Sequence, residues 1–291
     1  MEAIIKTENL TYLYNQGLPS ETAALRDVNF EIQPGELLGI IGHTGSGKST
    51  LIQHFNGILR PTAGKIYVQG EDIWEKPKEI RRIRFKVGLV AQYPEHQLFE
   101  ETVYKDIAFG PWNMELDKDE IHRRVLEAAD LVGLPHALLE KSPFELSGGQ
   151  RRRAAIAGVI AMEPSVLILD EPTAGLDPRG REQIFSMIKE YHRHKKNTVL
   201  LVSHSMEDVA RFTNRVMVMN QAGIFMEGSV EDVFSRADEL EAIGLSVPQI
   251  TRICTELSRK GYPIAANTYT VQHAKEQILA LLEKQKGEAA K

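Results

Sequence analysis

The stretch Gly42-His43-Thr44-Gly45-Ser46-Gly47-Lys48-Ser49 constrains this 291-residue chain more than any other. It satisfies G-x-x-x-x-G-K-[ST] at every fixed position, a pattern that arises by accident in a chain of this length on the order of once in a hundred. Its surroundings narrow the reading further. Residues 36–41 (Glu-Leu-Leu-Gly-Ile-Ile) form an apolar run expected of a strand buried on both faces, and residues 51–59 have helical character. Between a strand and a helix, the glycines let the backbone wrap so that successive N–H groups face phosphate oxygens, and the helix adds its positive N-terminal end. Lys48 is then placed to reach β- and γ-phosphates and Ser49 to ligate Mg²⁺ through its hydroxyl.

A phosphate loop needs a second element that supports the cation and activates water. The run Val166-Leu167-Ile168-Leu169-Asp170-Glu171 supplies an apolar strand ending in two carboxylates, which a parallel sheet would bring to its C-terminal edge. Asp170 suits Mg²⁺ support and Glu171 suits polarising the attacking water as general base. A third apolar run, 199–202, leads into Ser203-His204-Ser205 and puts His204 at the same edge. By itself His204 reads as a loop residue.

Strands alternating with helical segments (121, 125, 126 and 129 at three-to-four spacing; 180–191) predict an α/β chain built on a parallel sheet. Beyond Gly228 the pattern changes to charged helical segments interrupted near 244–248 and 261–263, with a polar tail after Leu282. Net charge is −5, so no bulk cationic field argues for nucleic acid or anionic lipid. No run approaches the roughly 20 apolar residues of a spanning helix. The first ten residues carry Glu2, Lys6 and Glu8 without an apolar core, so no signal peptide is expected there. The single cysteine, Cys254, reads as a small buried hydrophobe. His192 and His194 read as a solvated helix end, and Arg151-Arg152-Arg153 as a feature of a helix face.

Leu146-Ser147-Gly148-Gly149-Gln150, between the phosphate loop and the acidic strand, resembles the signature of the ABC ATPases. The rest of that family's ordered pattern is present: Gln92 in Val90-Ala91-Gln92-Tyr93-Pro94, the loop Ala174-Gly175-Leu176-Asp177, and His204. The resemblance spans roughly residues 8–228. It implies a P-loop NTPase fold with a RecA-like parallel-sheet core, an antiparallel β subdomain, a helical signature subdomain at about 95–162 and a C-terminal helical extension at 229–291 that dimerises. The ATPase domain would occupy 1–228. It also implies ATP and Mg²⁺ as ligands. Gly42, His43, Thr44, Gly45, Ser46, Gly47, Lys48, Ser49 and Thr50 would cradle the phosphates, and Tyr14, with Tyr12 as the alternative, would stack on adenine. Ser49, Gln92 and Asp170 would serve the metal, and Lys48, Gln92, Glu171 and His204 the chemistry. Ser147, Gly148, Gly149 and Gln150 would meet ATP held by an opposite subunit, and Asp177 would join the two sites.

Within that family, Pro94-Glu95-His96-Gln97-Leu98-Phe99-Glu100-Glu101-Thr102-Val103, the segment 106–111, Ala155-Ile156-Ala157-Gly158 and Gly244-Leu245-Ser246-Val247-Pro248 are similar to the ATPases of energy-coupling factor importers, which take up vitamins or metal ions. That implies a second, paralogous ATPase, a transmembrane coupling protein and a membrane substrate-binding component. The chain would sit at the cytoplasmic face of the membrane through those partners. Glu95, Glu100 and Glu101 are expected to receive arginines from the partner's coupling helices, against the alternative of a solvated acidic face. The competing readings are a soluble ABC ATPase of translation or DNA repair and a non-catalytic ATP-binding regulator. The first would carry two cassettes or a coiled-coil insertion, and the second would lack Glu171 or His204.

Overall fold

The computed structural model describes residues 2–289, with side chains to residue 283, so most of the polar tail beyond Leu282 lies outside the described side chains. Strands β1 (Ile5–Tyr14) and β2 (Thr22–Ile32) open the chain, followed by β3 (Leu37–Ile41), α1 (Lys48–Phe55), β4 (Ala63–Val68) and β5 (Glu71–Asp72). Next come α2 (Ile80–Lys86), β6 (Val87–Val90), α3 (Val103–Asn113), α4 (Lys118–Leu131) and α5 (Gly148–Ile160). The second half contains β7 (Val166–Asp170), α6 (Pro178–Lys195), β8 (Thr198–Val202), α7 (Met206–Phe212), β9 (Arg215–Asn220) and β10 (Gly223–Ser229). Four helices end the chain: α8 (Val230–Ser235), α9 (Ala237–Ala242), α10 (Gln249–Arg259) and α11 (Val271–Ala289).

Two sheets result. An antiparallel one runs β2-β1-β4-β5, and the central one runs β10-β9-β3-β8-β7-β6, parallel except for the β10 edge. The unbroken apolar runs of β7 and β8 follow from burial on both faces of the central sheet. Because side chains alternate along a strand, Ile168, Leu200 and Val202 pack with α1 and the antiparallel sheet. Leu167, Leu169, Val199 and Leu201 pack against α3, α4, α5 and α6 on the other side. Each such fully buried Leu or Ile contributes roughly 1.5–3 kcal/mol through area removed from water. The central sheet is thereby held rigidly between two layers, and its C-terminal edge becomes a fixed platform for loops.

Helix starts follow local chemistry. Thr102, Asp117, Ser147, Asp177, Ser205 and Ser229 cap α3, α4, α5, α6, α7 and α8 by accepting from a backbone N–H three residues on. Helices α8 and α9 pack against α7, β9 and β10, whereas α10 and α11 form a separate small core around Cys254, Ile264 and Ala274, and Cys254 is buried as expected. Among the described residues no helix is long and apolar enough to cross a membrane.

Candidate functional site

Sheet order brings the candidate residues together. In the run β3-β8-β7-β6, neighbouring strands point the same way. Their C-terminal ends therefore deliver, side by side, the phosphate loop after β3, His204 after β8, Asp170 and Glu171 at the end of β7, and Gln92 after β6. Each of these elements contributes to one cavity of about 520 Å³, within the range for a small-molecule site, although Gly42, His43 and Ser46 of the loop are outside its lining. Thr44, Gly45, Gly47, Lys48, Ser49, Thr50 and Tyr14 line it too. So do Thr22, Ala23 and Ala24 of β2, which sequence reading missed because nothing in that strand carries a chemical signature.

The loop geometry depends on glycine where the backbone is crowded. Gly47 has φ +106°, and a Cβ there would sit 2.4 Å from the Ala24 carbonyl oxygen. At Gly45, with φ +81°, a Cβ would meet nothing within 4 Å, which leaves room for a ligand against the backbone. His43 ties the loop to β9: its Nε2 lies 2.9 Å from Asn220 Oδ1, and its Nδ1 lies 2.8 Å from the Thr44 carbonyl oxygen.

Lys48 is 6% exposed, and its Nζ donates to the carbonyls of Gly42 (2.7 Å) and His43 (3.0 Å). Burial lowers its pKa, while the Glu171 and Asp170 carboxylates pull the other way. Burial raises the pKa of Asp170 against the Lys48 ammonium and the Ser49 hydroxyl. Glu171 is pushed up to about 7, first by burial and further by Asp170, with the His204 backbone N–H opposing. Its Oε1 is buried without a hydrogen-bond partner and lies 3.6 Å from His204 Nε2. The Glu171 backbone is left-handed, with φ +49°, and its N–H donates to the Val202 carbonyl. Such a conformation costs roughly 1–3 kcal/mol and persists because two buried strands hold it. The result is a carboxylate aimed into the cavity with a lone pair unspent. Burial and Lys48 both depress His204, which favours its neutral form near pH 7.

The two tyrosines separate. Tyr14 is 40% exposed, lines the cavity and reaches Thr50 Oγ1 at 3.2 Å. Tyr12 packs edge-on between Tyr14 and the buried His54, with ring centroids 4.9 and 4.8 Å away.

The signature residues lie outside this cavity. Ser147, Gly148 and Gly149 are exposed at the start of α5. Ser147 Oγ accepts from Gln150 N (3.3 Å), and Gln150 Oε1 accepts from Ser147 N (2.9 Å). Gln150, expected to face nucleotide with its neighbours, is thus engaged in closing the helix start. Asp177 is exposed and caps α6 through Gly180 N at 2.7 Å.

One expectation is corrected. Glu95 is not presented to a partner: Arg152 of the same chain holds it at 3.0 and 2.8 Å, and its side chain is only 15% exposed. Burial opposes the Glu95 charge, but the Arg152 guanidinium outweighs it and leaves the carboxyl below the usual range. Glu101 pairs with Lys105 at the surface, and the backbone N–H of Glu100 donates to Asp106 Oδ1. A groove of about 580 Å³ does lie beside them, lined by Phe85, Phe99, Phe109, Arg81, Arg84 and Asp106 among others, and by none of the three glutamates. The sequence offers the acidic run to a partner's arginines and treats the triple arginine as a feature of a helix face. Instead, Glu95 and Arg152 neutralise each other in the interior.

The ABC transporter family profile matches residues 25–174. The energy-coupling factor transporter ATP-binding protein EcfA2 of Caldanaerobacter subterraneus subsp. tengcongensis is 56% identical over 278 residues, covering 96% of this chain and 97% of that one. Among solved structures, cbiO1 from Clostridium perfringens, part of the ABC transporter complex cbiONQ, superimposes with a TM-score of 0.74 at 38% identity, covering 90% of this chain and 98% of that one. The dimeric cassette MJ0796, in a post-hydrolysis state bound to ADP and Pi, gives 0.70 at 30% identity, covering 78% and 98%.

Proposed function

The chain belongs to the ABC transporter family, and from that premise we propose that it is the ATP-hydrolysing subunit of an energy-coupling factor importer for vitamins or metal ions. The observation that carries the mechanism is a division of labour. Phosphate loop, Asp170, Glu171, Gln92 and His204 share one cavity, while Ser147, Gly149 and Asp177 stand exposed outside it. The site is therefore completed by the signature of a second subunit, a paralogous ATPase in this reading. ATP then holds two subunits together, and hydrolysis releases them. Such a two-state element can drive a partner because ATP binds the closed pair better than the open one.

Within the cavity, loop N–H groups and the α1 N-terminus cradle the phosphates, and the Lys48 ammonium exchanges its carbonyl contacts for β- and γ-phosphate oxygens. Glu171, with its unspent Oε1, orients the attacking water and takes its proton. His204 stands 3.6 Å from that carboxylate, positioned to meet the γ-phosphate. Ser49, Gln92 and Asp170 offer hydroxyl, amide and carboxylate oxygens suited to a hard cation. Mg²⁺ held by these three residues would neutralise charge developing on the transferred phosphoryl group. The adenine lies on Tyr14. Replacing Tyr14 by Ala is expected to raise the KM for ATP about tenfold with little change in kcat, since one stacking contact is worth roughly 1–3 kcal/mol. Steady-state phosphate release over an ATP titration checks it, and an unchanged KM would remove Tyr14 from the site.

Transport requires membrane partners: a coupling protein seated in the aromatic groove and a substrate-binding component that selects the cargo, with this chain at the cytoplasmic face. The helices beyond Ser229 serve pairing of the two ATPases, through exposed apolar residues such as Ile253 and Leu279. Affinity capture of the full chain from its native membranes tests the proposal. A second ATPase and two integral membrane proteins are expected. Recovery of only soluble partners, ribosomes or DNA would replace transport with one of the soluble ABC functions.

A further inference from the structure

Arg152 is 4% exposed and lies on α5, the helix whose start carries the signature residues. Its guanidinium ties two other segments to α5 at once. Nε and Nη2 fork onto the two oxygens of Glu95 at 3.0 and 2.8 Å, while Nη1 donates to the carbonyls of Ala174 (2.7 Å) and Pro172 (3.4 Å). Glu95 stands three residues after Gln92, Pro172 immediately follows Glu171, and Ala174 is three residues before Asp177. A planar, always-charged fork is the side chain able to satisfy a carboxylate and two carbonyls together.

From this placement we infer that Arg152 is a positioning residue for hydrolysis, a rigid bridge that couples the segment bearing Gln92 to the loop that aims Glu171 and Asp177. Arg152 is not a catalytic residue, because it lines no part of the nucleotide cavity. It acts by fixing where the base and the inter-subunit loop stand. The Pro94–Gln97 turn that carries Glu95 runs directly into Gln97, Leu98 and Phe99, which line the aromatic groove together with Ala154, Ala155 and Gly158 of α5. Anything seated in that groove bears on both ends of the Glu95–Arg152 pair. A shift of a few tenths of an ångström is then passed through Nη1 to the loop after Glu171, by its short bond to the Ala174 carbonyl and its longer contact with that of Pro172. Because Arg152 is almost fully buried and Glu95 only 15% exposed, little water is at hand to substitute for a lost contact, so breaking the bridge is costly. Hydrolysis is thereby made conditional on the state of the groove.

The inference rests on Glu171 being the base, and the test separates the two. Arg152→Lys keeps a buried cation for Glu95 but cannot hold the carboxylate and both carbonyls together. Glu95→Gln keeps the shape and removes the charge. In the complex captured from native membranes, each is expected to lower kcat about tenfold with the KM for ATP within a factor of two. The double variant is expected to be no slower than the slower single one, because both break one bridge. A purely structural ion pair would lower the melting temperature and leave kcat unmoved in the folded fraction. That result, or kcat losses that multiply in the double variant, overturns the inference. Glu171→Gln in the same preparation reports on the base separately. If it retains activity, the base assignment fails. If it is inactive while both bridge variants turn over normally, only the role of Arg152 fails.

Discussion

Replacing Glu171 by Gln is expected to lower the maximal rate of ATP hydrolysis about 10³-fold while leaving ATP affinity within a factor of two. The amide keeps the side chain's shape but cannot take a proton, and a positioned general base is worth roughly 10²–10⁴ in rate. ATP binding then persists without turnover, so the ATP-held pair should accumulate and be visible by size-exclusion chromatography in Mg-ATP. The carboxyl is pushed up to about 7, chiefly by burial. The base works only when ionised, so wild-type kcat/KM should rise with pH up to about 7 and flatten above it.

The same shift fixes a stability effect whose sign can be worked out. The folded pKa lies above the ordinary value of 4.5. Below about pH 4.5 the group is protonated whether the chain is folded or not, and it costs nothing. Above about pH 7 it is ionised in both states, and only the folded state bears the burial penalty. Stability from this group is therefore lost as pH rises through the folded pKa. At about 1.36 kcal/mol per unit the loss is on the order of 3 kcal/mol, and Glu171 is only 14% exposed, so solvent relieves little of it. Without nucleotide, Glu171→Gln should melt several degrees above wild type at pH 8, and the gap should close towards pH 5. A gap independent of pH would contradict the buried, unpartnered carboxylate.

How much of this was legible beforehand depends on the range of the interaction. The phosphate loop and the acidic strand could be read because their chemistry and burial are local: an apolar run meets a glycine loop or a carboxylate pair. The sheet order β3-β8-β7-β6 could not, since pairing is set by how crossover helices pack and not by any one strand. Tyr12 and Tyr14 stayed unresolved because residues two apart share a strand face. Register shifts in the β1–β2 pairing on either side of Tyr12, and its contact with His54, separate them in the fold. Glu95 and Arg152 lie 57 residues apart, and each sits in a run of like charge that resembles a solvated surface. Only tertiary packing shows that two such runs each place one member in the interior.

Replacing Lys48 by Met is expected to weaken ATP binding at least 100-fold while sparing the fold. Methionine fills most of the same volume, and in the nucleotide-free chain the ammonium bonds the carbonyls of Gly42 and His43 and balances part of the charge of Asp170 and Glu171. The Asp170 and Glu171 carboxylates partly offset the burial that lowers its pKa. Without the ammonium these half-buried carboxyls can take up protons and the ion's own desolvation cost is gone, so only a modest loss of stability is expected. With ATP present the balance changes. The ammonium would make charge-assisted bonds to phosphate oxygens, each worth roughly 1.5–3 kcal/mol in a site closed to water, and methionine offers none. A ligand that binds only the folded state adds about 2.7 kcal/mol of stability at 100 times its Kd. Wild type should therefore show a clear rise in melting temperature with saturating Mg-ATP, and Lys48→Met none at the same concentration. A variant that melts early without nucleotide would show that the lysine is structural. A variant that melts normally and is still protected by ATP would show that the loop's backbone amides alone hold the phosphates.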